Sequence, residues 1–224
     1  MNLHLDHDQD FYPMTVDNSA PRWFGATGTR PTVAVAGQDV FTAAGHAMGL
    51  VAMLLLTATV VLGTLHSGRA SSASWPRFAV HAVHRNVSLL AIAFLVIHIV
   101  IAIGKPRSGL SWPVAVVPCS STPHPIWLGM GTVALEFLLA AIITSMLRVR
   151  IGFRSWRAVH VAAYASWPLA LAHGLGLGTT DRRLSWVVAL YLGCAVAVAA
   201  AITRRCLTAD ADRAARRAAK AGQR

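Results

Sequence analysis

His84 to His98, HRNVSLLAIAFLVIH, is an apolar run closed at both ends by histidine, and His160 to His173, HVAAYASWPLALAH, repeats the arrangement further along the chain. A histidine inside a membrane helix is costly to place and usually faces a partner within the bundle. At about 1.5 Å rise per residue, fourteen residues separate His84 from His98 by roughly 21 Å, and thirteen separate His160 from His173 by roughly 20 Å. Two helices therefore carry nitrogen donors at matched upper and lower levels, as paired cofactor ligands would be.

The composition sets these runs in a membrane. Of 224 residues, 55% are hydrophobic and only 13% charged, and several apolar stretches are long enough to cross a hydrocarbon core of about 30 Å. The apolar segments run over about Thr42 to Leu65, Phe78 to Gly104, Trp127 to Leu147, Trp156 to Leu177 and Leu184 to Thr203. The expected fold class is all-α, a polytopic membrane helix bundle of about five transmembrane helices. Residues 1–41 are polar, carry Pro13, Pro21 and Pro31 and lack a sustained apolar period, which reads as a disordered tail. The membrane domain then covers 42–205, and 206–224 form a basic cytoplasmic tail. The acidic start MNLHLDHDQD has no basic n-region followed by an apolar core, so the first membrane helix is expected to direct insertion.

A formal charge of +11 raises nucleic acid as a partner, but the basic residues sit between and after the apolar segments, as loop charges of a membrane protein do. No nucleic-acid partner is expected; membrane lipid is. Fourteen of the 20 Lys and Arg fall in the first loop with the start of the second helix, in the third loop and in the C-terminal tail. The positive-inside rule then places the N-terminus outside and the C-terminus in the cytoplasm, in a plasma (inner) membrane. The second and fourth helices both run outward. Cys119, Cys194 and Cys206 have neither CxxC nor zinc spacing, so no disulfide framework or iron–sulfur cluster is implied.

Parallel helices put His84 beside His160 and His98 beside His173. Each pair is a candidate for holding one haem iron through neutral imidazoles, an arrangement suited to electron transfer. The plainer reading is that each histidine makes an inter-helix hydrogen bond. Geometry raises one objection. At about 100° per residue, fourteen residues return within roughly 40° of one face, whereas thirteen fall about 140° short. A kink or change of pitch at Pro168 would correct the register.

Arg85, Arg154 and Arg157 lie near the His84–His160 level and are candidates for neutralising haem propionates, or are simply topology signals. Trp167, seven residues past His160, falls between the two levels as a bridge or as a core aromatic. His81, one turn before His84, is an alternative ligand. Glu136, the only acid in the spans, must be paired or protonated in the bilayer, and is a candidate for passing protons or fixing a histidine tautomer. Gly45 and Gly49 offer a close-approach face to another helix. The proline-rich loop from Lys105 to Ile126, with its apolar centre Trp112 to Val117, suits the membrane surface. His124 within it is a candidate for binding a metal or an acceptor.

The segments VHRNVSLLAIAFLVIH and VHVAAYASWPLALAHG resemble the ferric reductase-like transmembrane domain shared by NADPH oxidases, iron reductases and the membrane subunit of the bacterial methionine sulfoxide reductase repair system. The resemblance covers about residues 42–205, and FRSWRAVHVAAYASWPLALAHGLG looks like small actinobacterial members. It implies that His84, His98, His160 and His173 are the axial ligands of two b-type haems. It also implies a membrane cytochrome b component of an oxidoreductase, passing electrons to an external acceptor such as ferric iron, oxygen or a periplasmic protein. The larger relatives add a flavin and nicotinamide domain after the last helix. Here no GxGxxG unit appears, so the chain has no flavin or NAD(P) site of its own. A separate flavoprotein or quinol donor is expected. The contrasting alternative is a non-enzymatic membrane transporter, or a haem- or metal-handling protein, whose histidines bind transiently.

Overall fold

A computed structural model describes residues 31–66, 77–105, 108–178 and 185–221. The first thirty residues of the polar tail lie outside these, as do Arg69, Trp75, Pro76, Pro106 and the loop bearing Arg182 and Arg183. The described chain is all helix and connecting loop: α1 Pro31–His66, α2 Arg77–Gly104, α3 Pro125–Met146, α4 Arg148–Ala162, α5 Ser166–Leu177 and α6 Ser185–Ala221. Short 3-10 turns stand at Trp112–Ala115 and Ala163–Ala165.

Among the described residues four segments have the length and composition to cross a membrane: Val40–Leu65, Phe78–Gly104, Pro125–Met146 and Trp186–Ala211. Together with the broken α4–α5 segment they make the polytopic bundle that the apolar runs predict. Residues 31–41 already belong to α1, and α6 carries the helix through the basic segment to Ala221. Large apolar side chains such as Leu89, Val96 and Val100 on α2 are exposed, as a lipid-facing surface requires.

Helix directions follow from the contacts. Gly45 meets Ile101 and Gly63 meets His84, so α1 and α2 are antiparallel. Gly131 meets His173 while Ser145 bonds Trp156, so α3 opposes the α4–α5 run. Tyr191 of α6 meets Gly174, and α6 packs along α1. The two histidine-bearing segments consequently run the same way. A buried core of Met53, Leu56, Val60, Trp167, Cys194 and Val198 joins α1, α5 and α6. Thr57 within it returns its hydroxyl proton to the Met53 carbonyl at 2.8 Å, as a hydroxyl in an apolar core must.

Part of the expected correction of register is present, and it sits before Pro168. Ala163–Ala165 form a 3-10 turn between His160 and His173. Three residues at about 120° instead of 100° add about 60°, which cuts the angular shortfall from about 140° to about 80°. Pro168 supplies the cause. Lacking an N–H, it cannot bond the carbonyl of Tyr164, so the turn ahead of it is free to tighten. A second break lies at Gly152, where φ of 81° and ψ of 161° turn the chain from α3 into the main part of α4. Only glycine adopts that conformation without strain.

Candidate functional site

Between α1–α2 on one side and α3–α5 on the other lies a cavity of about 1440 Å³, lined by His84, His98, His160 and His173. A single small-molecule pocket spans roughly 300–1,000 Å³, so this space exceeds one ligand. No Asp or Glu lines it among the described residues.

The four histidines meet in twos. The rings of His98 and His173 have centroids 6.4 Å apart and planes at 89°, and those of His84 and His160 are 6.5 Å apart at 64°. Among the described residues no group of three or more His, Cys, Asp or Glu could hold a bare metal ion.

At the His98–His173 level the rings are anchored by backbone. Nδ1 of His98 lies 2.8 Å from the Gly45 carbonyl of α1, and Nδ1 of His173 lies 2.8 Å from the Trp127 carbonyl of α3. A carbonyl can only accept, so each Nδ1 carries the proton and each Nε2 keeps its lone pair. That is the tautomer a metal-ligating imidazole needs. Glycine makes room for both rings. A Cβ on Gly49 would sit 3.0 Å from His98, and one on Gly131 would sit 2.5 Å from Nδ1 of His173. The Gly45/Gly49 face thus receives an imidazole as well as Ile101 of the neighbouring helix.

At the other level the supports are aromatic and cationic. Trp156 stacks on His160 with centroids 5.0 Å apart and planes at 26°. The indole N–H donates to Ser145 Oγ at 3.2 Å, and the Arg148 guanidinium lies 4.5 Å over the indole ring. Nδ1 of His160 is buried and has no hydrogen-bond partner among the described residues. Arg85 and Arg157 are exposed and line the cavity at this end, where Arg148 and Arg205 join them; Arg154 is exposed on α4. Tyr164, one turn past His160, also lines the wall and reaches Gly63.

Trp167 stands in the α1–α5–α6 core, where its indole N–H donates to Thr57 Oγ1 at 2.9 Å; it is not among the cavity-lining side chains. His81 is exposed on α2 at the arginine-rich mouth, and His124 caps α3 at the opposite mouth with a left-handed φ of 52°. Glu136 is exposed on α3 outside the cavity wall. Carbonyls fix the tautomers of His98 and His173 instead. The three cysteines are free thiols.

The sequence reading passed over His46, Trp156, Tyr164, Gly63 and Gly131. Trp156 had a signal, since it lies four residues before His160 and so on the same helical face. A lone glycine such as Gly131 in an apolar helix had none.

A family model described as "Ferric reductase like transmembrane component" matches residues 48–171, a span that holds His84, His98 and His160 and ends two residues before His173. No curated protein and no solved structure matches the chain.

Proposed function

Because the chain belongs to the ferric reductase-like transmembrane family, whose general role is redox, we propose that it carries electrons across the membrane through two bis-histidine b-type haems. His84 with His160, and His98 with His173, would hold the two irons. The group supplies one-electron iron chemistry; the chain supplies ligands, spacing and electrostatics.

The observation that carries this reading is the spacing of the rings. Imidazole nitrogen–metal bonds of about 2.0–2.1 Å, with about 1.1–1.2 Å from nitrogen to ring centre for ring bonds of about 1.33 Å, would put two rings that share one metal about 6.2–6.6 Å apart. The pairs stand at 6.4 and 6.5 Å. The Nδ1–carbonyl bonds of His98 and His173 leave Nε2 as the free donor, which supports the same reading. Arg85 and Arg157, in a wall without acids, suit the carboxylates of such a group.

Positive-inside counting makes the arginine-rich level cytoplasmic, with the N-terminus outside and the C-terminus inside a plasma membrane. A separate flavoprotein or quinol would then reduce the cytoplasmic level, and ferric iron, oxygen or a periplasmic protein would accept at the outer one. The test is a reduced-minus-oxidised spectrum with haem quantitation on the purified full chain. About two low-spin b haems per chain are expected, whereas a folded, haem-free protein would overturn the proposal and favour a transporter.

A further inference from the structure

We infer that Trp156 is the positioning residue of His160, fixing by ring stacking the imidazole orientation that a backbone carbonyl fixes at His98 and His173. The inference rests on the proposed function.

Three of the four ligand candidates allow the comparison. His98 and His173 each place Nδ1 against a carbonyl of a neighbouring helix at 2.8 Å. His160 has no such acceptor among the described residues, although its Nδ1 is buried. An imidazole without that bond can spin about its Cβ–Cγ axis, and a ligand must not. Stacking supplies the missing restraint: the indole of Trp156 lies face to face with the His160 ring, 5.0 Å between centroids and 26° between planes.

Trp156 can hold a ring because it is itself held from three directions. Its N–H is tied to Ser145 Oγ of α3 at 3.2 Å, Arg148 sits over its ring at 4.5 Å, and Phe153 packs against it at 5.5 Å. A guanidinium over an indole is an attractive contact. Two χ angles leave tryptophan little rotamer freedom to lose. The four-residue spacing from Trp156 to His160 brings the rings together on one face of α4, a helix held to α3 by the Ser145 bond. The restraint therefore runs from α3 through Trp156 to His160.

Ring orientation has a readout that general packing does not move. The angle between two axial imidazole planes sets the anisotropy of a low-spin ferric EPR signal. The 64° and 89° pairs should therefore give two distinguishable signals. The experiment uses the haem-loaded full chain, as Trp156→Ala and Trp156→Phe, alone and in a His173→Ala background that keeps only the His84–His160 centre. Trp156→Ala should shift and broaden the His84–His160 signal and weaken haem binding there about tenfold, the lower end of the 10–100-fold that ligand-supporting partners are worth. The His98–His173 signal should stay in place, and Trp156→Phe should restore the lost one.

An unchanged His84–His160 signal and haem affinity in Trp156→Ala would overturn the inference. So would equal changes at both centres together with a lower melting temperature, since that is general packing. Should the His173→Ala background not fold, the two resolved signals of the single variant decide. Wild-type protein with two centres and an insensitive His84–His160 signal overturns this inference alone; wild-type protein without haem overturns the proposed function with it.

Discussion

His98 and His173 each give an Nδ1 proton to a carbonyl 2.8 Å away, whereas His160, at the other level of the same cavity, has an indole against its face and a buried Nδ1 without an acceptor among the described residues. The first level is set by main chain and by glycines that admit the rings. The second is set by side chains, with arginines at its mouth. Backbone supports cannot be moved without moving a helix, so the His98–His173 level is stiff. Side-chain supports can adjust, which suits a level that opens toward a charged surface.

Removing a ring is the largest test of that contrast. On the proposed function, His173→Ala or His98→Ala should empty the His98–His173 level and bring haem content from about two per chain to about one, read by haem quantitation. The His84–His160 spectrum should persist. Full haem content in both variants would break the assignment of this pair. A chain that loses both haems at once would break the independence of the two levels.

A smaller change sharpens the same contrast without touching a ligand. An added Cβ at Gly131 would stand 2.5 Å from Nδ1 and 2.7 Å from Cε1 of His173, whose ring is tied to the Trp127 carbonyl and cannot retreat. Gly131→Ala should cost about 1–3 kcal/mol as an overpacked core does, with haem lost from the His98–His173 level. At the other level, a Cβ on Gly63 would meet the Tyr164 hydroxyl at 2.9 Å, the far end of a side chain that can swing, and His84 Cε1 only at 3.4 Å. Gly63→Ala should therefore lower the melting temperature less and keep haem at both levels. Equal sensitivity of the two glycines would erase the stiff-versus-adaptable distinction.

Much of this was legible in the sequence, for reasons that also explain what was not. Apolar length alone marks the spans, because a bilayer leaves no choice but helix for a lone apolar segment. The spacings 84 to 98 and 160 to 173 carry the two levels, since helical rise is nearly constant. Pro168 announced a break, but the change of pitch falls at Ala163–Ala165, on the carbonyl side of the missing N–H, and spacing rules do not fix which turn absorbs it. The supports were hidden for a different reason. The carbonyls of Gly45 and Trp127 belong to helices distant in sequence from the rings they hold, and any residue type carries a carbonyl. Trp167 shows the reverse case. Helical phase placed it on the His160 face, yet its indole stands in the core with α1 and α6, bonded to Thr57.

That placement sets the smallest expected effect on the haem signals, because Thr57 and Trp167 stand in the core away from the cavity wall. Trp167 donates its indole N–H to Thr57 Oγ1 at 2.9 Å inside a cluster with Met53, Leu56, Val60, Cys194 and Val198. Thr57→Val keeps the shape of the side chain but removes the acceptor, leaving a buried donor unmet at a cost of about 1–3 kcal/mol. Neither Thr57 nor Trp167 lines the cavity, so the melting temperature should fall while both haem signals keep their position and intensity. A shifted signal in Thr57→Val would mean that the core behind α5 is mechanically continuous with His173. The stiffness of the His98–His173 level would then come from that core as well as from the Trp127 carbonyl.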